Sequence, residues 1–267
     1  MRKATVLLVF LILIGCVSSV KSQSTEKTSS VDIYTAGAGE TIFSWGKVDA
    51  GAADVQNVVR FSPVFNYAQQ VHFDFSNSVG FYTGLGIRNV GLITHTDIDG
   101  FEIKIKERSY GLGIPIVFKV GNMKKGINLG VGGEAEFMFA WKRKIFVGDD
   151  TKTKDYEWFS DNVNIFNPSL LAELKFFRGQ YIRFKYYLDD FLQYKGGLTI
   201  PIIQAPNNTL PDYALSSQLM YISFGAVIAR KELDHTPIEK AGTYSSSDGY
   251  FRSVKYNGSV ASKANHQ

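Results

Sequence analysis

Three features of the chain predict an all-β protein, an eight-stranded antiparallel transmembrane up-and-down β-barrel. Long runs between about Val58 and Arg230 alternate apolar and polar residues at period two, the spacing of a strand whose successive side chains point to opposite faces. Several runs far exceed the usual strand of about five or six residues, as required where an apolar face meets a bilayer. The connections between runs also alternate strictly between short and long, the pattern of a barrel with short turns at one end and loops at the other.

The first strand is expected within about Tyr34–Lys47. The second runs from about Val58 to Ser76, with Val59, Phe61, Phe65, Tyr67, Val71, Phe73 and Phe75 of one parity. A tight Asn77-Ser78 turn leads into the third, about Val79 to Ile93. The fourth, about Lys104 to Gly121, places Tyr110, Leu112, Ile114, Ile116, Phe118 and Val120 on one face and Ser109, Gly111, Gly113, Pro115 and Lys119 on the other. The fifth, Ile127 to about Phe146, has Ile127, Leu129, Val131, Phe137, Phe139 and Trp141 in its odd row and Asn128, Glu134, Glu136 and Lys142 in its even row. The sixth, about Asn167–Phe177, meets the seventh, Tyr181–Leu192, across Arg178-Gly179. The eighth is about Ser216–Ala229. Links at Asn77, Asn122 and Gly179 are short, and those near 48–57, 95–103, 147–165 and 193–215 are long. A soluble eight-stranded barrel would bury the apolar row and expose the charges, and would not need strands of this length.

The 267 residues suffice for one barrel. Residues 1–22 read as an export signal, with Arg2 and Lys3 before an apolar core from Ala4 to Ile14. Val20-Lys21-Ser22 fits ordinary cleavage before Gln23, while Leu13-Ile14-Gly15-Cys16 resembles a lipobox that would leave Cys16 lipidated. Cys16 is the only cysteine, which excludes an intramolecular disulfide. Residues 23–230 form the barrel, with strands from about residue 34, and 231–267 read as a polar periplasmic tail. The formal charge of +4 falls close to neutral once Arg2, Lys3 and Lys21 leave, so nucleic-acid binding has no support.

The stretches Phe81-Tyr82-Thr83-Gly84-Leu85-Gly86-Ile87-Arg88-Asn89, Tyr110-Gly111-Leu112-Gly113-Ile114-Pro115, Gly132-Gly133-Glu134-Ala135-Glu136 and Phe184-Lys185-Tyr186-Tyr187-Leu188-Asp189-Asp190-Phe191 resemble those of the outer-membrane β-barrel domain family of Bacteroidetes, which includes porin-like and PorT-like proteins. The resemblance covers most of residues 40–230 and implies the fold and the cell outer membrane. Its PorT-like members imply a role as a subunit of a secretion and gliding machinery.

Eight strands enclose a lumen that side chains can fill. The inward rows supply a lumen ion network of Arg88, Glu134, Glu136, Glu173, Lys175, Arg183, Lys185 and Asp189, since buried charges must be paired. Glu173 falls opposite Lys185 or Arg183, depending on the turn register. Glycines at 80, 84, 86, 111, 113, 130 and 132 make room for the bulky row Tyr181, Arg183, Lys185 and Tyr187, or simply relieve curvature. At the outer rim, extrapolation from the fourth–fifth turn sets Lys106 opposite Trp141 and Lys104 opposite Arg143. Arg108 lies beside them; Tyr110, eleven residues from the turn, stands about 28 Å up, which puts the cations above it at headgroup level. Lys104, Lys106, Arg108 and Arg143 are therefore a candidate surface for lipopolysaccharide phosphates, or else a solvated hairpin offset by Glu102 and Glu107.

No catalytic motif is present. His72 and Asp74 share the inward row without a suitably placed nucleophile, His95 with Asp97 and Asp99 lies in a loop, and His235 and His266 lie in the tail. No Gly-x-Ser-x-Gly, His-Glu-x-x-His or phosphate loop occurs. The expectation is a non-enzymatic envelope protein with a largely plugged lumen and no cofactor or metal. Its partners are outer-membrane lipid and a protein bound through the loops. The alternative is a narrow passive channel.

Overall fold

The computed structural model describes residues 31–51, 53–98, 100–148, 151–176, 179–194, 197–200, 209–210 and 212–232. The export signal, both cleavage readings and the tail beyond Glu232 lie outside them. Thirteen strands follow in order: β1 Asp32–Asp49, β2 Val55–Val58, β3 Arg60–Ser62, β4 Tyr67–Asp74, β5 Val79–Ile98, β6 Phe101–Asn122, β7 Ile127–Val147, β8 Thr151–Trp158, β9 Phe166–Phe176, β10 Gln180–Tyr187, β11 Leu198–Thr199, β12 Thr209–Leu210 and β13 Ser216–Glu232. All described pairings are antiparallel. β1, the interrupted β2–β3–β4, β5, β6, β7, β9, β10 and β13 occupy eight positions, and β13 pairs back onto β1 from Tyr34↔Glu232 to Asp49↔Ser216. That closure makes an eight-stranded up-and-down barrel.

The second strand is broken where the sequence predicts one run. Pro63 has no amide to donate to a ladder, and the chain leaves the sheet from Pro63 to Asn66. Asn66 replaces the missing bonds: its Nδ2 donates to Ser62 O (2.8 Å), its Oδ1 accepts from Asn89 N (2.8 Å), and its carbonyl accepts from Glu40 N (3.1 Å). The excursion spans an even number of residues, so Phe61 and Tyr67 still share the outer face.

The link near 95–103 is a correction. It is no long loop but a tight turn, with Ile98 paired to Phe101 and Gly100 at φ 83°, a conformation that favours glycine. The 147–165 segment contains β8, which folds back along β7 from Val147↔Thr151 to Ala140↔Trp158.

The outer surface is apolar over a belt. On β6 it runs through Leu112, Ile114, Ile116, Phe118 and Val120, the last two 62% and 60% exposed. From Tyr110 to Val120 this belt is about 25 Å tall at ordinary strand rise and tilt, the height of a transmembrane barrel's apolar band. Phe65, Tyr110, Phe139 and Trp158 form a chain of ring contacts along its upper edge.

Above that edge the polarity of the wall inverts. On β6, inward Ser109 and Glu107 give way to Ile105 and Ile103, while outward positions become Arg108, Lys106 and Lys104. On β5 the inward row passes from Arg88 to Val90 and Leu92. These inward residues join Ile42, Trp141, Ile145, Tyr187, Phe191, Leu192, Tyr213 and Leu219 in one buried apolar cluster. The barrel interior thus has two storeys, a charged one behind the apolar belt and an apolar one above it.

Candidate functional site: a charged lumen and a cationic outer face

Strand alternation aims the lower inward rows at one another across a narrow interior, and their charges meet. Glu40 on β1 is the hub. Its carboxylate accepts Arg88 Nε (2.7 Å), Arg183 Nη1 (3.0 Å) and Ser223 Oγ (2.6 Å), drawing β5, β10 and β13 onto β1. Arg88 Nη1 also donates to Glu134 and reaches Glu136 at 3.4 Å. Lys185 Nζ lies 2.9 Å from Glu134 and 2.7 Å from Glu136, and the Tyr187 hydroxyl donates to Glu136. Arg183 holds Glu173 through Nη2 (2.7 Å) and Nε (3.1 Å), and Tyr82 donates to the same carboxylate at 3.2 Å. Lys175 Nζ stands 4.0 Å from Glu173. Four carboxylates (Glu40, Glu134, Glu136, Glu173) therefore meet four cations (Arg88, Lys175, Arg183, Lys185), and the formal charges of this network balance.

Nearer the short turns, Lys119 donates to Asp74 and lies 3.0 Å from His72 Nδ1, while the His72 ring stacks on Tyr34 at 4.6 Å. Of the two registers open for the sixth–seventh hairpin, Arg183 is the residue paired with Glu173.

Asp189 is a correction: it is exposed and belongs to no ion pair among the described residues. β10 ends at Tyr187, and the neighbouring Asp190 accepts Ser217 N at 2.6 Å. That bond and Phe191 N→Ser217 O (2.8 Å) turn the chain into the upper storey, where Phe191 and Leu192 are buried. Glu40 was missed because the first strand has weak patterning. Its signal is nevertheless present, since it continues the even row of Ala36 and Ala38.

The glycines act locally rather than across the barrel. A Cβ on Gly113 would collide with the Glu134 carboxylate on the adjacent strand, and one on Gly225 with the Tyr181 ring. Gly86 leaves space for Arg88's own guanidinium, 3.0 Å from where its Cβ would stand.

The outer rim differs from its expected register. β6 and β7 pair as Asn122↔Ile127 at the turn, but Tyr110 pairs with Ala140 and Gly111 with Met138, so Phe139 is an extra residue. Such a bulge shifts every later residue of β7 to the opposite face. Lys104 therefore faces Phe146, Lys106 faces Lys144, and Arg108 faces Lys142. Arg143 is a correction, for it points inward. Its Nε donates to Asp155 (2.9 Å) and its Nη1 to Tyr194 Oη (3.1 Å).

Tyr194 in turn donates to Glu107, whose second oxygen accepts Tyr213 Oη at 3.2 Å. Glu107 is fully buried in the upper storey, above the belt. Burial pushes its carboxyl up to about 7, against the opposing pull of its Tyr194 bond, the Arg143 charge and its Tyr213 bond. His95 stands 3.4 Å from the exposed Glu102 at the loop end.

No family model matches the chain, and no curated protein matches it, so the Bacteroidetes resemblance rests on the stretches quoted for it. Among solved structures the chain is similar to Ail, the attachment invasion locus protein of Yersinia pestis, at 10% identity and a TM-score of 0.35, covering 74% of this chain and 98% of that one. It is also similar to Neisserial surface protein A, at 7% identity and a TM-score of 0.29, covering 73% and 97%. The N-terminal β-barrel domain of Pseudomonas aeruginosa OprF matches at 8% identity and a TM-score of 0.26, covering 71% and 96%. What fixes the fold of this chain is its own register: an eight-position antiparallel ring closed by β13 on β1, apolar outside and charged within.

Proposed function

We propose that this chain is an integral outer-membrane β-barrel with a sealed lumen and a structural or interactive role in the envelope. The observation that carries this reading is the double closure of the interior. A charge-balanced network fills the storey behind the apolar belt, and aromatic and aliphatic side chains fill the storey above. Among the described residues, neither layer leaves a row of unpaired charges to guide ions. Breaking one partner out of such a network costs about 3–5 kcal/mol, so the seal does not open on its own.

The test is single-channel recording of the refolded mature barrel in a planar bilayer. It is run beside a Glu134→Ala/Glu136→Ala/Trp141→Ala/Leu192→Ala variant that thins both storeys. A silent wild type beside a leaky variant supports the sealed barrel. Steady open-channel steps from the wild type overturn it and make the protein a narrow channel.

A further inference from the structure

The inversion of wall polarity gives β6, β7 and β8 a common outer face of unusual chemistry. Just above the Tyr110↔Ala140↔Trp158 row, three cross-strand rows follow. The first is Arg108↔Lys142↔Tyr156, the second Lys106↔Lys144↔Lys154, the third Lys104↔Phe146↔Lys152. The outward positions of these rows include no acid. Arg143, with its partner Asp155, is turned to the inner face, so that carboxylate lies on the wrong side of the sheet to neutralise them.

Directly opposed like charges destabilise a sheet, and the second row opposes three lysines side by side at a strand spacing of about 4.8 Å. Burial and the charges of Lys104 and Lys152 lower the Lys106 pKa, and burial with Lys152, Lys142, Arg108 and Lys154 lowers that of Lys144. The face thus holds its cations against their mutual repulsion. The aromatic residues give partial relief only, with Lys106 and Lys152 both over the Phe146 ring at 5.1 and 5.4 Å.

The same face is concave. Arg60 reaches it from the broken second strand, its guanidinium fixed by Asn89 O (3.1 Å) and Asn89 Oδ1 (2.7 Å). With Lys106, Glu107, Arg108, Lys142 and Lys144 it lines a cleft of about 120 Å³. Glu107's carboxylate points the other way, into the upper storey. The cleft opens immediately above the lipid-facing belt, continuous with it.

We propose that this face is a docking site for the phosphate-bearing headgroups of the surrounding outer-leaflet lipid, with Lys106, Lys144 and Lys154 at its centre and Arg60 and Arg108 at its base. It rests on the outer-membrane reading above, because only insertion to the level of the aromatic ring brings lipid phosphate to these rows. Acyl chains lie along Leu112, Ile114 and Phe137, and the phosphate supplies the charge that the sheet lacks.

The test uses the full mature chain refolded in detergent and titrated with diphosphoryl lipid A, read through the fluorescence of Trp158, which is exposed beside the patch. Lipid A with its phosphates removed, inorganic phosphate, a Lys106→Gln/Lys144→Gln/Lys154→Gln variant and a Lys124→Gln/Lys125→Gln variant at the opposite end are the comparators. The expected result is saturable lipid A binding that weakens at least tenfold in the triple variant and on dephosphorylation. The turn-end variant should leave it unchanged, and millimolar inorganic phosphate should not displace it. Equal binding by the triple variant, or by dephosphorylated lipid, overturns the site. Displacement by inorganic phosphate at similar concentration makes it a free-anion site and overturns the lipid. Insertion of the same preparations into phosphatidylcholine vesicles separates the two readings. A wild type that inserts without discriminating phosphate removes this site alone, and one that does not insert removes both.

Discussion

Arg143 stands directly opposite Glu107 across the β6–β7 ladder, and it shares the inward face of Glu107 because Phe139 is an extra residue in β7. Tyr194 links them, accepting from Arg143 and donating to Glu107. The bulge therefore decides which charges are buried and which face outward. Deleting Phe139 removes the surplus residue and leaves a regular ladder with Lys142 and Lys144 still outward, whereas deleting Lys142, beyond the bulge, would turn Lys144 inward and Arg143 and Ile145 outward. The expected outcome is a compact, heat-modifiable form on semi-native gels for the first deletion and its loss for the second. Normal migration of the Lys142 deletion would show that the register above the bulge is not what sets the two faces.

Glu107 makes stability depend on pH in a definite direction. Its folded-state value of about 7 lies above the ordinary 4.5. Its contribution is thus fully present below about pH 4.5 and lost as pH rises through about 7. Glu107→Gln keeps the shape and cannot ionise. Its unfolding free energy should gain on the wild type as pH rises from 4.5 to 8, by on the order of 2–3 kcal/mol in all. Parallel profiles of the two proteins across that range would rule out a buried, ionising Glu107.

Glu40→Ala leaves Arg88 and Arg183 each short of a carboxylate in a buried site. A destabilisation of about 3–5 kcal/mol is expected, read by urea unfolding. Ser223→Ala removes one neutral donor from the same carboxylate and should cost nearer 1 kcal/mol. Equal effects from the two would mean that Glu40 is not the hub of the network.

Gly225→Ala places a methyl group against the Tyr181 ring. A loss of about 1–3 kcal/mol is expected from overpacking, and Gly225→Ala/Tyr181→Phe should recover little because the clash includes ring carbon atoms. Gly126→Ala touches no neighbour within 4 Å, but its φ of 68° disfavours a side chain, so its cost should be smaller and come from the backbone alone.

The eight strand positions, the apolar outer belt and the inward row of Arg88, Glu134, Glu136, Glu173, Arg183 and Lys185 are legible because a membrane barrel obeys one rule over its whole spanning height. The upper half follows the opposite rule, and β6 shows the change openly: its apolar residues are even from Val120 to Leu112 and odd at Ile105 and Ile103. On β7 the change is hidden. The odd row stays apolar from Ile127 through Trp141 to Ile145, since the bulge carries that row from the lipid face to the inner core at the height where the rule reverses. An unbroken alternation thus conceals a change of face, and Arg143 goes with it. Asp189 misleads for another reason: nothing in its parity reveals that Asp190 bonds Ser217 and that the strand ends at Tyr187, short of the expected Leu192.

The shared carboxylate of Glu40 bears on how the barrel is assembled. Arg183 and Ser223 belong to the last two ring strands and Arg88 to an early one, yet all three bond a residue of the first. β1 and β13 are the most widely separated neighbours in the ring, so joining them carries the largest loop-closure entropy of any seam. Until that seam forms, Arg183 and Ser223 lack their acceptor on β1 and the interior must remain hydrated. Water leaves and the ion network locks in the same event that zips the wall shut, which makes the final closure cooperative and its reversal slow.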